Sequence, residues 1–395
     1  MAIPRLKSYA GPAILTYGFR PFFLFGAIWS ALSILLWLPL FYGWLELSTA
    51  FAPVDWHVHE MLFGFLPAIV TGFLFTAVPN WTGRMPIQGR PLLALVLVWF
   101  AGRIAVTCSG VIGWLPAMLI DVAFLLSIAV VIGIEIVAGS NWRNLKTLVP
   151  LVVLSLANAG FHLEAHYAGL SDYSRRAAIL AIVTLIMLIG GRIIPSFTRN
   201  WLARENPGRL PAPFDRLDAA AMILAVAALA TWTGAPQSMP TAGLMALAAL
   251  AHTARLWRWA GYRALRDPLV AVLHLAYLFV PIGFALAAVA AAWPDRVLPA
   301  APMHAFGAGA IGTMTLSVMV RASLGHTGQR LAAGPGARVI FAAIFLAAIL
   351  RVVAASWLGA PAWLLEAAGL TWLVAFGGFA VLFAPALVSP RRTIG

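Results

Sequence analysis

The sequence has almost no cysteine and few charges. Cys108 is the only cysteine among 395 residues, which excludes a disulfide framework and a cysteine-rich metal or iron–sulfur site. Charged residues make up 10% of the chain, against about 25% in an ordinary soluble domain. Hydrophobic residues make up 62%, and the mean hydropathy is +0.92, which is too apolar for one soluble core. These shortages predict an all-α, polytopic membrane protein.

Twelve apolar stretches can be counted, and most of them are near the ~20 residues that a helix needs to cross a bilayer. We therefore predict one integral helical domain over residues 1–395. The first stretch follows a start without a small-residue cleavage site, so we interpret it as a retained helix rather than a signal peptide. The predicted helices lie near 22–44, 57–79, 91–112, 114–137, 147–166, 177–198, 217–234, 240–257, 269–292, 300–320, 338–358 and 362–386.

The cations predict the orientation of these helices. If the N-terminus lies inside, 20 of the 26 Lys and Arg residues fall on inner segments, three fall on outer loops and three fall within helices. Because inner loops carry the excess of positive charge, this distribution predicts that both termini are cytoplasmic. The net charge of +13 is explained by this topology and does not indicate nucleic-acid binding.

The predicted topology places five histidines near the outer face. His57 and His59 open the second helix, His162 and His166 close the fifth, and His304 opens the tenth. Ionisable groups inside a membrane are costly and usually functional, and imidazole is a common ligand of metals and haem iron. His162 and His166 are four residues apart, so one helix face could chelate an ion with both. A histidine satisfied by interfacial water is the alternative for each position.

Two further histidines of interest, His274 and His326, fall in the inner half of the predicted bundle. His304 and His326 are separated by 22 residues, or roughly 33 Å along a helix, which is the thickness of the bilayer. These two residues therefore cannot share one site.

Helices two and ten show a weak internal repeat. A Thr-Gly pair follows 23 residues after both His59 and His304, and Gly64 and Gly309 each stand five residues after their histidine. Histidines at matched depth could bind one haem from its two faces, and the glycines would make room for a flat macrocycle. For the glycines, close helix packing through small residues is the alternative.

Three arginines within helices, Arg103, Arg192 and Arg351, need anionic partners at membrane depth. Haem propionates are natural partners for a guanidinium. Structural salt bridges are the alternative, and Glu60 and Asp121 are among the few acids that could form them.

Several long motifs of this sequence resemble the NnrS family of bacterial haem- and copper-containing membrane proteins of the nitric oxide response. The resemblance runs from Tyr17 to about Gln329. The motifs are "YGFRPFFLF", "DWHVHEMLFGF", "GFLFTAVPNWTGR", "NAGFHLEAH", "GGRIIPSFT", "LHLAYLFVPIG" and "HAFGAGAIGTMTLSVMVRASLGHTGQ".

The resemblance implies twelve helices, bound haem and copper, and a role in nitric oxide metabolism or tolerance in the bacterial inner membrane. His166 falls where the family's motif calls for a non-ligand, which counts against the chelate with His162. The family's motif positions are occupied here by His57, His59, Glu60, His162, His274, His304 and His326.

We hypothesise that His59 and His304 bind the iron of a non-covalent, b-type haem, with Arg103 and Arg351 as propionate partners. Metal ligands would come from His57, His59, His162 and His304, with His57 and His162 directed toward copper. Glu60 would donate protons or anchor a ligand. The secondary candidates are His166, His274, His326 and Arg192.

The expected ligand is nitric oxide or another small diatomic molecule. Its reduction would draw electrons from a quinol or a small redox carrier. The use of histidines from helices two and ten is also similar to heme-copper oxidases with their helical arcs, which is an analogy of fold alone. The alternatives are a proton-coupled secondary transporter and a non-catalytic haem- or copper-binding protein. Histidines crowded at one face, away from the midplane, count against the transporter.

Overall fold

The structure is a computed structural model that describes residues 9–356 and 359–391. The described residues form helices and connecting turns, with no β-strand among them, which confirms the all-α prediction. A helix satisfies its own backbone hydrogen bonds inside lipid. The long helices are α1 (Phe19–Phe41), α2 (Pro53–Thr82), α3 (Gly89–Thr107), α4 (Trp114–Ala138), α5 (Leu148–Ala168), α6 (Tyr173–Glu205), α7 (Arg216–Gly234), α8 (Met239–Arg258), α9 (Pro268–Ala292), α10 (Ala300–His326), α11 (Pro335–Ala354) and α12 (Ala362–Val388).

Eleven helices in the described part of the chain are long and apolar enough to cross a membrane. The protein is therefore a polytopic membrane protein with one candidate crossing fewer than the sequence predicted. The difference is α8, where polar residues such as His252 and Arg255 lower the hydropathy. The orientation of the bundle stays a prediction, and three cations that support it, Arg5, Lys7 and Arg392, lie outside the described residues.

The chain divides into two compact units, and the single domain expected from the sequence stays a prediction. The first unit comprises Met1–Ala178, Ala322–Arg330 and Phe376–Gly395. The second comprises Ile179–Arg321 and Leu331–Ala375. Within the first unit, α4 packs against α2, α3 and α5. Within the second, α8 packs against α7 and α9, and α10 packs against α9 and α11.

Two helices, α2 and α10, contain a stretch of π-helix. The stretch covers Glu60–Phe65 in α2 and Ala305–Gly312 in α10, and each begins one residue after a histidine, His59 or His304. Stretches of π-helix are rare in proteins, and those that occur are often at functional sites. The two helices that share the internal repeat in the sequence therefore also share a π-helix at the same position after the histidine.

Glycines have two different roles in these helices. Gly83 and Gly328 follow the ends of α2 and α10 with φ of +67° and +74°, which a glycine adopts without strain. Gly307, Gly309 and Gly312 have the spacing G-x-G-x-x-G. They lie inside α10, whereas a dinucleotide-binding turn follows a strand, so they do not form that turn.

Arg20 of the "YGFRPFF" motif binds the end of the last helix. Its Nη1 donates to the carbonyls of Ala386, Leu387 and Ser389 at 3.2, 2.8 and 2.6 Å. The last carbonyls of a helix have no partners within the helix, and a cation there interacts favourably with the helix dipole. Arg20 is 2% exposed, so it fixes α1 against the end of α12 inside the first unit.

Replacing Arg20 with leucine should destabilise the protein by roughly 1.5–3 kcal/mol, since charge-assisted hydrogen bonds would be lost from buried carbonyls. Thermal unfolding in detergent should then show a lower melting temperature. Arg20→Lys should lower the melting temperature less than Arg20→Leu does, because lysine keeps the positive charge. Arg90→Leu is the matched control, as Arg90 is exposed. A wild-type melting temperature for Arg20→Leu would contradict this role.

Candidate metal centre

Two histidines and one aspartate from three helices converge inside the first unit. His59 of α2, Asp121 of α4 and His162 of α5 each offer one ligand atom, and these atoms lie within 4.8 Å of one another. Asp121 Oδ2 lies 3.1 Å from His59 Nε2 and 3.3 Å from His162 Nε2. Atoms that share one tetrahedral ion at bond lengths of about 2.0 Å are separated by about 3.3 Å. The spacing therefore fits a shared ion.

Both ring nitrogens of His59 face oxygen acceptors. Nδ1 lies 3.1 Å from Glu60 Oε1, and Nε2 lies 3.1 Å from both Asn158 Oδ1 and Asp121 Oδ2. The Asn158 amide donates its N–H to Asp121 Oδ2 at 2.8 Å, so its oxygen is the atom turned to His59. A neutral imidazole has one N–H to donate. The second nitrogen therefore needs a proton or a metal ion between itself and the oxygens.

Arg103 is the third charged group of the cluster. Its Nη1 donates to both oxygens of Glu60 at 2.7 and 2.6 Å, and its Nη2 donates to Asp121 Oδ1. Each of these three residues is at most 2% exposed. Two carboxylates and one guanidinium leave a net charge of −1 when the histidines are neutral. Uncompensated charge in a buried site is costly, so the cluster favours one further positive charge.

The π-helix of α2 brings these polar groups into the bundle. Trp29 Nε1 donates to Glu60 Oε2 at 2.6 Å, and Trp99 Nε1 donates to the Gly64 carbonyl at 2.9 Å. A Cβ on Gly64 would lie 2.5 Å from both Arg103 Nη1 and Glu60 Oε2. Glycine at this position therefore makes room for the buried ion pair.

Aromatic rings surround the two histidines. The ring of Phe51 lies 5.0 Å from that of His59 and 5.1 Å from that of His162, measured between centroids. Phe63 and Phe161 each lie 5.3 Å from His59. This apolar lining lowers the local dielectric and strengthens the polar contacts inside it.

The loop between α5 and α6 ties down the start of α2. Ser171 donates its hydroxyl to Asp55 at 2.7 Å. Asp172 accepts from Arg175 and Arg176 at 2.5 and 2.9 Å. Burial alone would raise the pKa of Asp172, but Arg176 and Arg175 outweigh it and hold that pKa below its usual range. The loop is thus anchored by charge at the end of the bundle where α2 begins.

Two of the predicted ligands lie outside the cluster. The half-buried ring of His57 stacks on Trp37 at 4.1 Å. The exposed ring of His166 stacks on Trp114 at 4.3 Å. His162 and His166 therefore do not converge on one ion in this structure.

The secondary candidates are also dispersed. His326 ends α10 and packs against Phe19 with ring centroids 5.4 Å apart. His274 is buried, and its Nε2 lies 2.8 Å from Thr198 Oγ1. Arg192 is half-buried on α6. The structure brings none of these residues into the described cluster of His59, Asp121 and His162.

His304 and Arg351 lie in the second unit, on α10 and α11. His304 and His326 stand near opposite ends of the single helix α10, as the spacing predicted. Arg351 is half-buried near the end of α11.

Three contributors to the cluster are not evident from the sequence as site residues. The sequence indicates Asp121 only as a salt-bridge partner, and nothing in it singles out Asn158. The signal for Asn158 is its spacing from His162. Asn158 precedes His162 by four residues, so the two side chains share one face of the helix. Phe51 was also missed, since it lies before α2 in a segment without a periodic pattern.

The donor set of the cluster fits a metal ion. Two imidazoles and one carboxylate are ligands of several first-row transition metals, and Glu60 holds His59 from the opposite ring nitrogen, as partners of metal ligands commonly do. The space beside Gly64 is filled by Arg103 and Glu60, so no flat recess for a macrocycle adjoins His59 there. The haem prediction for His59 and Arg103 draws no support from these contacts.

These features define a polytopic, all-α membrane protein with a buried histidine–aspartate site. A family model described as NnrS protein matches residues 13–391. The chain therefore belongs to the NnrS family, which confirms the resemblance and associates the protein with nitric oxide. A comparison with curated proteins finds no match.

Replacing Gly64 with alanine should destabilise the protein by about 1–3 kcal/mol, because the new methyl group would overlap the ion pair. Gly133→Ala on α4 is the matched control, since its Cβ would meet Leu148 Cδ1 at an ordinary 3.5 Å. Thermal unfolding of both variants in detergent tests this expectation. Equal melting temperatures would show that Gly64 is not required for space.

Proposed function

We propose that the protein binds nitric oxide at a transition-metal ion held by His59, Asp121 and His162. The observation that carries this proposal is the convergence of three buried donor atoms, with oxygen acceptors at both nitrogens of His59. A metal ion at Nε2 would satisfy that nitrogen and supply the positive charge that the cluster favours. Family membership supports nitric oxide as the ligand.

Copper is the ion that we propose for this site. Imidazole suits copper, iron, zinc and nickel alike, whereas the carboxylate is a harder ligand, so the donor set alone favours a divalent first-row ion. The resemblance to haem- and copper-containing proteins supports copper among these. Such an ion, when bound, would supply a position for nitric oxide and a route for electrons.

The side chains of the cluster have separate tasks in this proposal. Glu60 accepts from Trp29, Arg103 and His59, which supports an anchor of His59 rather than a proton donor. Asn158 orients Asp121 by its N–H. The rings around the histidines keep water from the ligand atoms. Reduction of two nitric oxide molecules to nitrous oxide and water consumes two electrons and two protons. A quinol would release both the electrons and the protons, whereas a small redox carrier would deliver the electrons and the protons would come from water.

We further propose that α8, which is 20 residues long, is a twelfth crossing, and that the chain lies in the bacterial inner membrane with both termini in the cytoplasm. The cluster then lies in the outer half of the membrane, where α2 begins. The distribution of cations in the sequence supports this orientation.

Elemental analysis of the purified protein should find about one non-haem transition-metal ion per chain. His162→Ala and Asp121→Asn should each lower that content at least tenfold, in line with the 10–100-fold effects of mutations around metal sites. His166→Ala is the matched control, because His166 is exposed and outside the cluster. Unchanged metal content in both cluster variants would refute the site.

Optical and paramagnetic spectra of the reduced protein, with and without nitric oxide, test ligand binding. A spectral change that is lost in Asp121→Asn is the expected result. Formation of nitrous oxide in the presence of a quinol would establish an oxidoreductase, and binding without turnover would establish a non-catalytic metal protein. If the spectra of the metal-loaded protein do not change when nitric oxide is added, the result would contradict nitric oxide binding and favour a proton-coupled secondary transporter.

A further inference from the structure

The second unit contains a buried polar cluster of its own. Its members are Asp218 of α7, His252 and Arg255 of α8 and Tyr277 of α9, each at most 4% exposed. Arg255 Nε donates to Asp218 Oδ1 at 2.9 Å, and Arg255 Nη1 donates to the Tyr277 hydroxyl at 2.8 Å. His252 Nδ1 lies 2.9 Å from the same hydroxyl. Ionisable groups among membrane helices are costly and are functional by default, so this cluster indicates a function of its own.

The cluster is assembled around an arginine and a glycine, as the metal cluster is. A Cβ on Gly191 of α6 would overlap Arg255 Nη2, as a Cβ on Gly64 would overlap Arg103 Nη1. Gly191 belongs to the motif "GGRIIPSFT" and Tyr277 to the motif "LHLAYLFVPIG". Two motifs that the metal site does not use therefore meet at this cluster.

The charge of this cluster is already balanced. Asp218 pairs with Arg255, and the neighbouring Arg258 pairs with Asp215. Both nitrogens of its one imidazole, His252, lie within hydrogen-bond distance of an oxygen atom. The cluster therefore has neither the excess negative charge nor the set of imidazoles that favours a metal ion in the first unit, and the group left to react is the phenol.

Hydrogen bonding fixes the position of each proton on this phenol and its neighbours. His252 Nε2 lies 3.2 Å from the Ala221 carbonyl, and a carbonyl can only accept, so Nε2 carries the imidazole proton. Nδ1 therefore carries the lone pair and accepts from the Tyr277 hydroxyl. The oxygen of that hydroxyl accepts in turn from Arg255. The phenolic proton thus points at a neutral base.

This arrangement suits the transfer of an electron together with a proton. Oxidation of a buried phenol that kept its proton would leave an uncompensated positive charge in an apolar interior, which is costly. His252 Nδ1 lies within the reach that proton transfer requires. After the transfer, the imidazolium would donate one N–H to the Tyr277 oxygen and the other to the Ala221 carbonyl, so the new charge would be hydrogen-bonded on both sides.

We propose that Tyr277 is a redox-active tyrosine that reduces nitrogen dioxide, with His252 as the acceptor of the phenolic proton. One electron passes from the phenol to nitrogen dioxide, which becomes nitrite, and the phenolic proton moves to His252 Nδ1, which leaves a neutral tyrosyl radical. One electron from a quinol or a small redox carrier, together with the return of the proton from His252, restores the phenol.

The choice of oxidant follows from the family. Nitrogen dioxide forms when nitric oxide reacts with oxygen, and membership of the NnrS family associates the chain with nitric oxide. Nitrogen dioxide is small and uncharged, so it can approach the helices from the bilayer. This activity goes beyond the proposed metal site and does not require an ion there.

Aromatic rings shield the phenol and its base. The ring of Trp259 lies 4.6 Å from that of Tyr277, and the ring of Phe284 lies 5.6 Å from that of His252, measured between centroids. Tyr277 is fully buried, whereas Tyr262 is exposed. A radical on Tyr277 cannot couple with a radical on another molecule, so it should outlive radicals on exposed tyrosines.

The test exposes the full-length protein in detergent to nitrogen dioxide generated from nitrite by pulse radiolysis. Tyrosyl radicals are recorded by their visible absorption and by electron paramagnetic resonance. The wild type should show a radical that persists after those on exposed tyrosines have decayed. Tyr277→Phe should lose this persistent signal, whereas Tyr262→Phe, the matched control at an exposed ring, should keep it. A persistent signal in Tyr277→Phe, or its absence from the wild type, would overturn the inference.

Variants of His252 separate a redox role from a structural one. His252→Asn places an amide oxygen near the position of Nδ1, so the hydroxyl keeps a hydrogen-bond acceptor but loses its base. Formation of the persistent radical should slow roughly 100-fold, the lower limit of what a positioned base contributes. The melting temperature should fall less than in His252→Leu, which offers no acceptor. A wild-type rate in His252→Asn would contradict the pairing.

Elemental analysis of the same samples keeps this inference separate from the proposed metal site. The variants of Tyr277 and His252 should bind as much non-haem metal as the wild type, because they leave the first unit unchanged. Loss of the ion together with the radical in Tyr277→Phe would show a general defect in folding and would overturn the assignment to Tyr277.

Discussion

Arg103 must be neutralised by its neighbours, because a guanidinium 2% exposed among apolar helices has little access to water. Its two donor groups reach Glu60 on α2 and Asp121 on α4. One side chain thereby fixes the relative rotation of three helices. It also sets the charge of the site. The two carboxylates of Glu60 and Asp121 and the one guanidinium give a net charge of −1, which one further positive charge would neutralise.

The remaining features of the cluster follow from this constraint. Gly64 gives the ion pair space, and the π-helix starts at Glu60. His59 stands between the carboxylates of Glu60 and Asp121. Asn158 on α5, a fourth helix, holds Asp121 through its amide. The polar groups thus support one another.

Much of the fold was predictable from the sequence, because apolar runs of about 20 residues report directly on the bilayer. The run in α8 is less apolar than the other eleven, since His252 and Arg255 reduce its hydropathy. Of the site, His59 and His162 were predictable from their depth. The choice of Asp121 over other acids was not, because it depends on how α2, α3 and α4 pack. The π-helices were also invisible, although the spacing of His59 and His304 from their glycines indicated a shared motif.

X-ray absorption at the K-edge of the non-haem metal in the purified protein tests most directly whether His59, Asp121 and His162 bind one ion. We expect nitrogen and oxygen neighbours at about 2.0 Å, with the outer scattering of two imidazoles. A sulfur neighbour at about 2.3 Å, or a spectrum without imidazole scattering, would contradict this expectation.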